Sequence, residues 1–276
     1  MKPAAFGYHR PDALSECLEL LGQPGSRVLA GGQSLVPLLN RRALRPRRLV
    51  DITRIADLAG VTISPGRLRV GATTTHQALV VAAAGAGFPG LSRAGAGIGQ
   101  LPVRLRGTVG GSLAHADPAA EWCAAAAVFD ARITLASTHG VREVSATDFF
   151  TGPSRTACEA HELVVAVEFA RPWTHAATVK HGHAGSVMCL SVGLQVDRSA
   201  EVSEARVVVG GGRRSPARVT RLEELLTGRP VGDLTSLARA VDAGWDRGPA
   251  AGGVAVPGWM VVDVVHDALG LRAREV

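Results

Sequence analysis

Aromatic residues make up only 4% of this 276-residue chain, and Tyr8 is its one tyrosine. A core built from such a chain must rest on Val, Leu and Ala. Lysine is nearly absent: Lys2 and Lys180 are the only two, so the net charge of +6 is carried almost wholly by arginine. The four cysteines, Cys17, Cys123, Cys158 and Cys189, form no CxxC pair, which argues against an iron–sulfur cluster or a zinc site. There is no Walker sequence for a P-loop. No apolar run is long enough to cross a bilayer, and MKPAAFGYHRPDALSE lacks the apolar centre of a signal peptide. A cytoplasmic protein with free thiols and no membrane partner is the expectation.

What is present is ordinary for a soluble globular protein: 46% hydrophobic and 20% charged residues. The length allows two modest domains or one large one. One dense basic run extends from Arg41-Arg42 to Arg45-Pro46-Arg47-Arg48. It suits an acidic partner or a solvated loop, and with no aromatic residue inside it to stack on bases, nucleic acid is not an expected partner.

Periodicity predicts a helix opening at Pro11-Asp12, with Leu14, Cys17, Leu18 and Leu21 on one face and Gly22 and Pro24 closing it. Short strands are predicted at Arg27–Ala30, Leu49–Ile52 and Leu68–Gly71, and Thr75 is a candidate N-cap for a helix through Ala84. A small-residue segment from Ala125 leads into a strand, Ala131–Ala136, and Leu163–Phe169 is a further strand. The character changes near Arg171-Pro172-Trp173. Strands at Val187–Val196 and Ala205–Val209 then precede helical patterns around Arg218–Leu226, Leu234–Trp245 and Trp259–Leu271. Strands followed by helices indicate an α+β second domain, with the boundary at about residue 173.

Gly85-Ala86-Gly87-Phe88-Pro89-Gly90 fits the dinucleotide fingerprint GxGxxG by its letters. It follows an alanine-rich helical stretch instead of a strand, and Pro89 falls where the helix should start, so a Rossmann site is rejected. Gly210-Gly211-Gly212 follows a strand, but Arg213 to Pro216 does not begin a helix, so a tight turn is the better reading. Gly31-Gly32-Gln33-Ser34 directly follows a strand, and Gly110-Gly111-Ser112 offers the same kit. Each supplies successive backbone N–H groups and a hydroxyl, and two such loops can clamp a diphosphate. Either loop alone is more often a turn.

The segments AGGQSLVPLL, VGATTTHQAL and IGQLPVRLRGTVGGSLAHADPAAEW, with the opening FGYHRPDALSECLELL, resemble in order and spacing the FAD-binding medium subunit of the xanthine dehydrogenase and carbon monoxide dehydrogenase family. FDARITLAS and SATDFFTGPSRTACEAHELVVAVEF continue the likeness, which is close over residues 1–172 and loose beyond. The resemblance implies an α+β fold of the PCMH type: two α+β subdomains over residues 1–173 gripping an extended FAD, then a small α+β C-terminal domain over 174–276. It assigns the FAD diphosphate to Ala30, Gly31, Gly32, Gln33 and Ser34 and to Thr108, Gly110, Gly111 and Ser112, with Leu29 and Leu35 also among the cofactor-binding residues. Ile98 and Gly99 would lie along the flavin. His115, Asp117 and Glu121 would run past the cofactor, with the Glu121 carboxylate accepting from ribose or adenine. Leu163 or Val164 would flank the isoalloxazine ring, and Lys180 would approach the cofactor from the C-terminal domain.

Simpler roles stand beside these. Asp117 before Pro118 suits a helix N-cap, Trp122 suits the core, and His76 suits the start of a helix. The sequence also departs from the family. Leu105 replaces the Asn of a frequent Arg-Asn-x-Gly-Thr. In VKHGHAGSVMCLSV, His183 stands where Arg or Lys is common and Ser186 where Asp is expected. Lys180 and His183 are therefore the candidate catalytic groups, His183 as a proton relay near the flavin. A metal site at His181-Gly182-His183 has no evident carboxylate or thiol partner.

The resemblance implies a flavoprotein oxidoreductase subunit that takes electrons from an iron–sulfur partner of a molybdopterin enzyme and passes them to NAD, a quinone or oxygen. A stand-alone flavoenzyme acting on a small organic substrate remains an alternative. So does a relative that has lost redox function.

Overall fold

The computed structural model describes residues 2–183, 186–212, 214–233, 237 and 256–270. The chain opens with a parallel sheet of β1 (Gly7–His9), β2 (Ser26–Leu29) and β3 (Arg48–Asp51), in the order β1-β3-β2. Helix α1 (Leu14–Leu21) buries Cys17, Leu18 and Leu21, the face its periodicity indicated, and Gly22 ends it. Ala13 takes the N-cap position instead of Asp12. The short helix α2 (Leu35–Asn40) joins β2 to β3. Because all three strands are parallel, their carboxyl ends share one side of the sheet, where β2 runs out into Gly31-Gly32. Ligands of open α/β sheets bind on that side.

A second, antiparallel sheet follows: β4 (Val61–Ser64), β5 (Arg67–Gly71), β6 (Arg132–Ser137) and β7 (Gly140–Ser145), joined by β10 (Leu163–Phe169) as its central strand, in the order β4-β5-β10-β6-β7. Its helices are α3 (His76–Gly85), α4 (Pro89–Ala96), α5 (Leu101–Arg106), α6 (Val109–His115), α7 (Glu121–Val128) and the single turn α8 (Ala146–Phe149), and β8 (Phe150–Gly152) pairs with β9 (Arg155–Thr156). The rejected fingerprint at Gly85–Gly90 joins α3 to α4, helix to helix, with Pro89 opening α4.

The remaining strands form an antiparallel meander of β11 (His175–His183), β12 (Ser186–Val196), β13 (Val202–Gly211) and β14 (Arg214–Arg218), covered by α9 (Thr220–Leu226) and α10 (Gly258–Leu269). This is the α+β organisation expected, with corrections of detail. Residues 214–218 form an edge strand, so the helix expected from Arg218 begins at Thr220. The helical pattern at Leu234–Trp245 falls largely outside the described residues.

Helix α7 joins the layers. All eight of its residues, EWCAAAAV, are buried, because alanine lets structure approach it from every side. One continuous core accordingly includes Ala124 to Val128, Phe169 from β10, and Cys189 and Val208 from the third sheet. Trp173 lies in the same core and donates from Nε1 to the Val128 carbonyl at 3.0 Å. Around it Arg206 pairs with Asp130, while Arg171 bridges Asp130 at 3.1 Å and Glu204 at 2.6 Å.

Gly193 is required here, because a Cβ would overlap the Trp173 indole. The Gly193→Ala variant should be less stable by about 1–3 kcal/mol, the usual cost of one extra methyl in a filled core. Urea unfolding followed by tryptophan fluorescence reads this directly.

Candidate functional site

The first Gly-Gly segment meets the turn that leads into the second. A Cβ on Gly31 would overlap the Arg106 carbonyl oxygen and come within 2.8 Å of Gly107 Cα. Gly110 packs as tightly, 2.5 Å from the Ala72 Cβ by the same construction. The first glycine of each pair is thus demanded by packing. Gly32 has a left-handed φ of 73°, which favours glycine. Gly111 is exposed, and a Cβ there would approach only the side chain of Thr108, with Oγ1 at 2.7 Å.

The loops differ in what they offer a ligand. After Leu29 and Ala30, the N–H groups of Gly31, Gly32, Gln33 and Ser34 donate to no other described residue. They end at Ser34, the N-cap of α2, which opens with Leu35. Four successive free donors at a helix start form an anion nest. The second loop does not match the symmetric clamp expected from its composition. Val109 N–H donates to the Thr74 carbonyl (2.9 Å) and Gly110 N–H to the Ala72 carbonyl (3.0 Å). Gly111 N–H returns to Thr108 Oγ1 at 3.2 Å and Ser112 N–H to the Thr108 carbonyl at 3.0 Å. Those donors are spent inside the fold. What the second loop presents is the bare face of Gly111 and the Ser112 side chain, which is half-buried.

The other expected residues surround this seam. Ile98 and Gly99 precede α5, and Arg104 holds both their carbonyls, at 3.2 and 2.9 Å. His115 closes α6. Asp117 does not cap α7. Its Oδ1 accepts from Ala119 N–H at 2.8 Å, while Ala120 takes the N-cap position without a side-chain bond. Glu121 opens α7, is buried, and receives Lys180 Nζ of β11 at 3.3 Å on both carboxylate oxygens. Burial raises the Glu121 pKa from its ordinary value, and the Lys180 ammonium only partly opposes this.

Leu163 and Val164 are neighbours on β10 buried in separate cores, at 3% and 4% exposure. Any contact they make with a ligand therefore falls to backbone. His183 is paired with Ser186 in the β11–β12 ladder, but its side chain lies outside the described residues. His181 is committed elsewhere, with Nε2 at 3.0 Å from Asp263 Oδ2.

Residues 4–172 match the family described as the FAD binding domain in molybdopterin dehydrogenase. The chain belongs to this family. It is 34% identical over 266 residues to the 6-hydroxypseudooxynicotine dehydrogenase complex subunit alpha of Paenarthrobacter nicotinovorans, covering 92% of this chain and 90% of the relative. To the glyceraldehyde dehydrogenase medium chain of Sulfolobus acidocaldarius it is 34% identical, over 84% and 85% of the two chains. Among solved structures, quinoline 2-oxidoreductase from Pseudomonas putida 86 superposes with a TM-score of 0.86 at 33% identity, over 98% of this chain and 99% of that one. This flavoprotein thus has the PCMH-type fold, FAD as its cofactor and the role of an oxidoreductase component.

FAD fits the site in hand. The open N–H groups at Gly31–Ser34 suit a diphosphate, and the glycines that face them across the seam keep side chains out of its path. Residues 106–107 and His76 escaped assignment from sequence. Gly107 buries against His76, with a Cβ there lying 2.6 Å from Nε2. His76 in turn accepts from Trp122 Nε1 through Nδ1 at 2.9 Å. A histidine at a helix start sends no sequence signal of a partner 46 residues away.

Burial lowers the His76 pKa to about 4 from an ordinary 6.5. The unfolded chain therefore takes up this proton before the folded one. Stability should fall by up to about 3 kcal/mol between pH 6.5 and pH 4 on this account. His76→Gln, which cannot titrate, should flatten that part of the curve, measured by urea unfolding across the range.

Proposed function

We propose that this flavoprotein is the electron-transfer subunit of a cytoplasmic molybdenum hydroxylase-type complex, working with an iron–sulfur subunit and a molybdopterin subunit. Two relatives named as a complex subunit and a medium chain support the reading, each covered over most of its length. The arrangement that carries it is the row of open donors at Gly31–Ser34, set against the Arg106 carbonyl and Gly107. Among the described residues no helix is long and apolar enough to cross a membrane.

Residues 1–173 hold the cofactor in this reading, and residues 174–276 are the C-terminal domain that supplies Lys180. FAD, when bound, supplies a carrier able to exchange one or two electrons. The protein's part is to fix and shield it. The N–H groups of Gly31, Gly32, Gln33 and Ser34 hold the diphosphate, with Leu29, Ala30 and Leu35 forming the walls of that turn. Thr108 keeps the second loop taut by accepting from Gly111 N–H, so that Gly110, Gly111 and Ser112 line the path. Ile98 and Gly99, held by Arg104, border the flavin side with the β10 backbone at Leu163 and Val164. His115 and Asp117 lead to Glu121, whose carboxylate accepts from ribose or adenine hydrogen-bond donors. Lys180 holds both carboxylate oxygens of Glu121 from across the domain junction and partly opposes the upward pull of burial on its pKa. His183, at the end of the same strand, is the proposed proton relay.

The test is a variant that places a side chain in the path. A Cβ at Gly111 would stand 2.7 Å from Thr108 Oγ1, so the folding of Gly111→Val is checked by circular dichroism; the folded variant should be colourless, whereas wild type shows the flavin spectrum and releases FAD on denaturation. Flavin retained by a folded Gly111→Val protein would remove the cradle assignment. Purification of the wild type with iron–sulfur and molybdopterin subunits, detected by metal analysis and mass spectrometry, supports the complex. A flavin-loaded protein that is reduced directly by a small organic substrate contradicts it.

A further inference from the structure

One buried polar group at the seam has no role yet. His76 is only 6% exposed, yet its two ring nitrogens are unequally used. An indole N–H can only donate, and Trp122 Nε1 donates to His76 Nδ1 at 2.9 Å. A neutral ring that accepts at Nδ1 carries its proton on Nε2. Nε2 is therefore a fixed donor, and no described residue accepts from it.

Nor is Nε2 sealed inside the protein. Among the described residues, the fully enclosed side-chain nitrogens and oxygens without a partner are Arg206 Nε and Ser215 Oγ. His76 Nε2 thus reaches a surface, and its surroundings say which one. A Cβ on Gly107 would stand 2.6 Å from Nε2, and Gly31 packs on the Cα of that same glycine. The His76 backbone N–H also donates to the Gly107 carbonyl at 2.9 Å, pinning the ring's base to the second loop. The unused donor sits where the two loops meet.

On the reading that FAD lies along this seam, we propose that His76 binds the cofactor, its Nε2–H donating to a diphosphate oxygen at the junction of the Gly31 and Gly107 turns. Trp122 is then a positioning residue. It makes no contact with the ligand but holds the tautomer that places the proton on Nε2. The low basicity of the buried ring keeps it neutral at pH 7, so it gives the phosphate a directed hydrogen bond in place of a mobile cation.

Binding of FAD and of ADP, which carries the diphosphate without the flavin, is measured on flavin-free wild type, His76→Phe and His76→Gln, beside the thermal unfolding of each ligand-free protein. Loss of one hydrogen bond to a charged acceptor should weaken both ligands in His76→Phe by roughly tenfold to a hundredfold. His76→Gln keeps an N–H donor and should recover part of that loss. In wild type labelled with 15N-histidine, the Nε2–H signal of His76 should shift on addition of ADP.

Unchanged affinity in a His76→Phe protein that melts like wild type overturns the inference. Weakened FAD with unchanged ADP also overturns it, since the contact would then lie away from the diphosphate. Should His76→Phe fail to fold, an Nε2–H signal in wild type that ADP leaves unmoved is decisive against it. Wild type that binds neither FAD nor ADP defeats the FAD reading itself, and this inference with it.

Discussion

Backbone against backbone is the contact on which the rest depends. Gly31 lies on the Arg106 carbonyl and the Gly107 Cα, closer than any side chain at position 31 would permit. Each core is assembled by burial of Val, Leu and Ala, but that force has no direction. The missing Cβ atoms decide where the carboxyl end of the parallel sheet meets the turn into α6. The open donors follow from the same geometry. Leaving β2, the chain has no strand neighbour at Gly31 and does not enter α2 until after Ser34, so four N–H groups in succession remain without a partner among the described residues. Across the seam, Thr108 and the carbonyls of Ala72 and Thr74 consume the equivalent donors. One loop leaves its donors open and the other spends them within the fold.

The third sheet adds a second level of control. Glu121 is buried on the first turn of α7, where a lone carboxylate would be disfavoured. Its cation arrives from β11, as Lys180, the one lysine of this chain apart from Lys2. Burial still prevails, raising the Glu121 pKa. The acidic group expected to meet the cofactor is therefore conditioned by a strand of the third sheet. The contacts around Trp173, Arg171 and Arg206 hold that sheet in place.

Much of this was legible in the letters. Leu163–Phe169 has the strand limits its apolar run suggested, and Thr75 caps α3 by accepting from Ala78 N–H. The paired glycines identified the seam. Other parts were hidden for physical reasons. Strand β11, HAATVKHGH, is rich in Ala and Gly, weak strand formers, and gains its conformation from nine paired positions on β12. The asymmetry of the two loops was equally hidden, since near-identical Gly-Gly-polar strings differ only in what tertiary neighbours accept from them. Asp117 before Pro118 looked like an N-cap, but the chain makes one more turn before α7 begins. His76 gave no hint of Trp122, because their link exists only after α3 and α7 have packed.

The most direct measurement is a crystal structure of this protein with FAD bound. The account requires diphosphate oxygens within roughly 2.7–3.2 Å of at least two of the Gly31–Ser34 N–H nitrogens, with Gly31 still seated on Arg106 and Gly107. A diphosphate held instead by the N–H groups of Gly110–Ser112, or two loops parted by the cofactor, would contradict it.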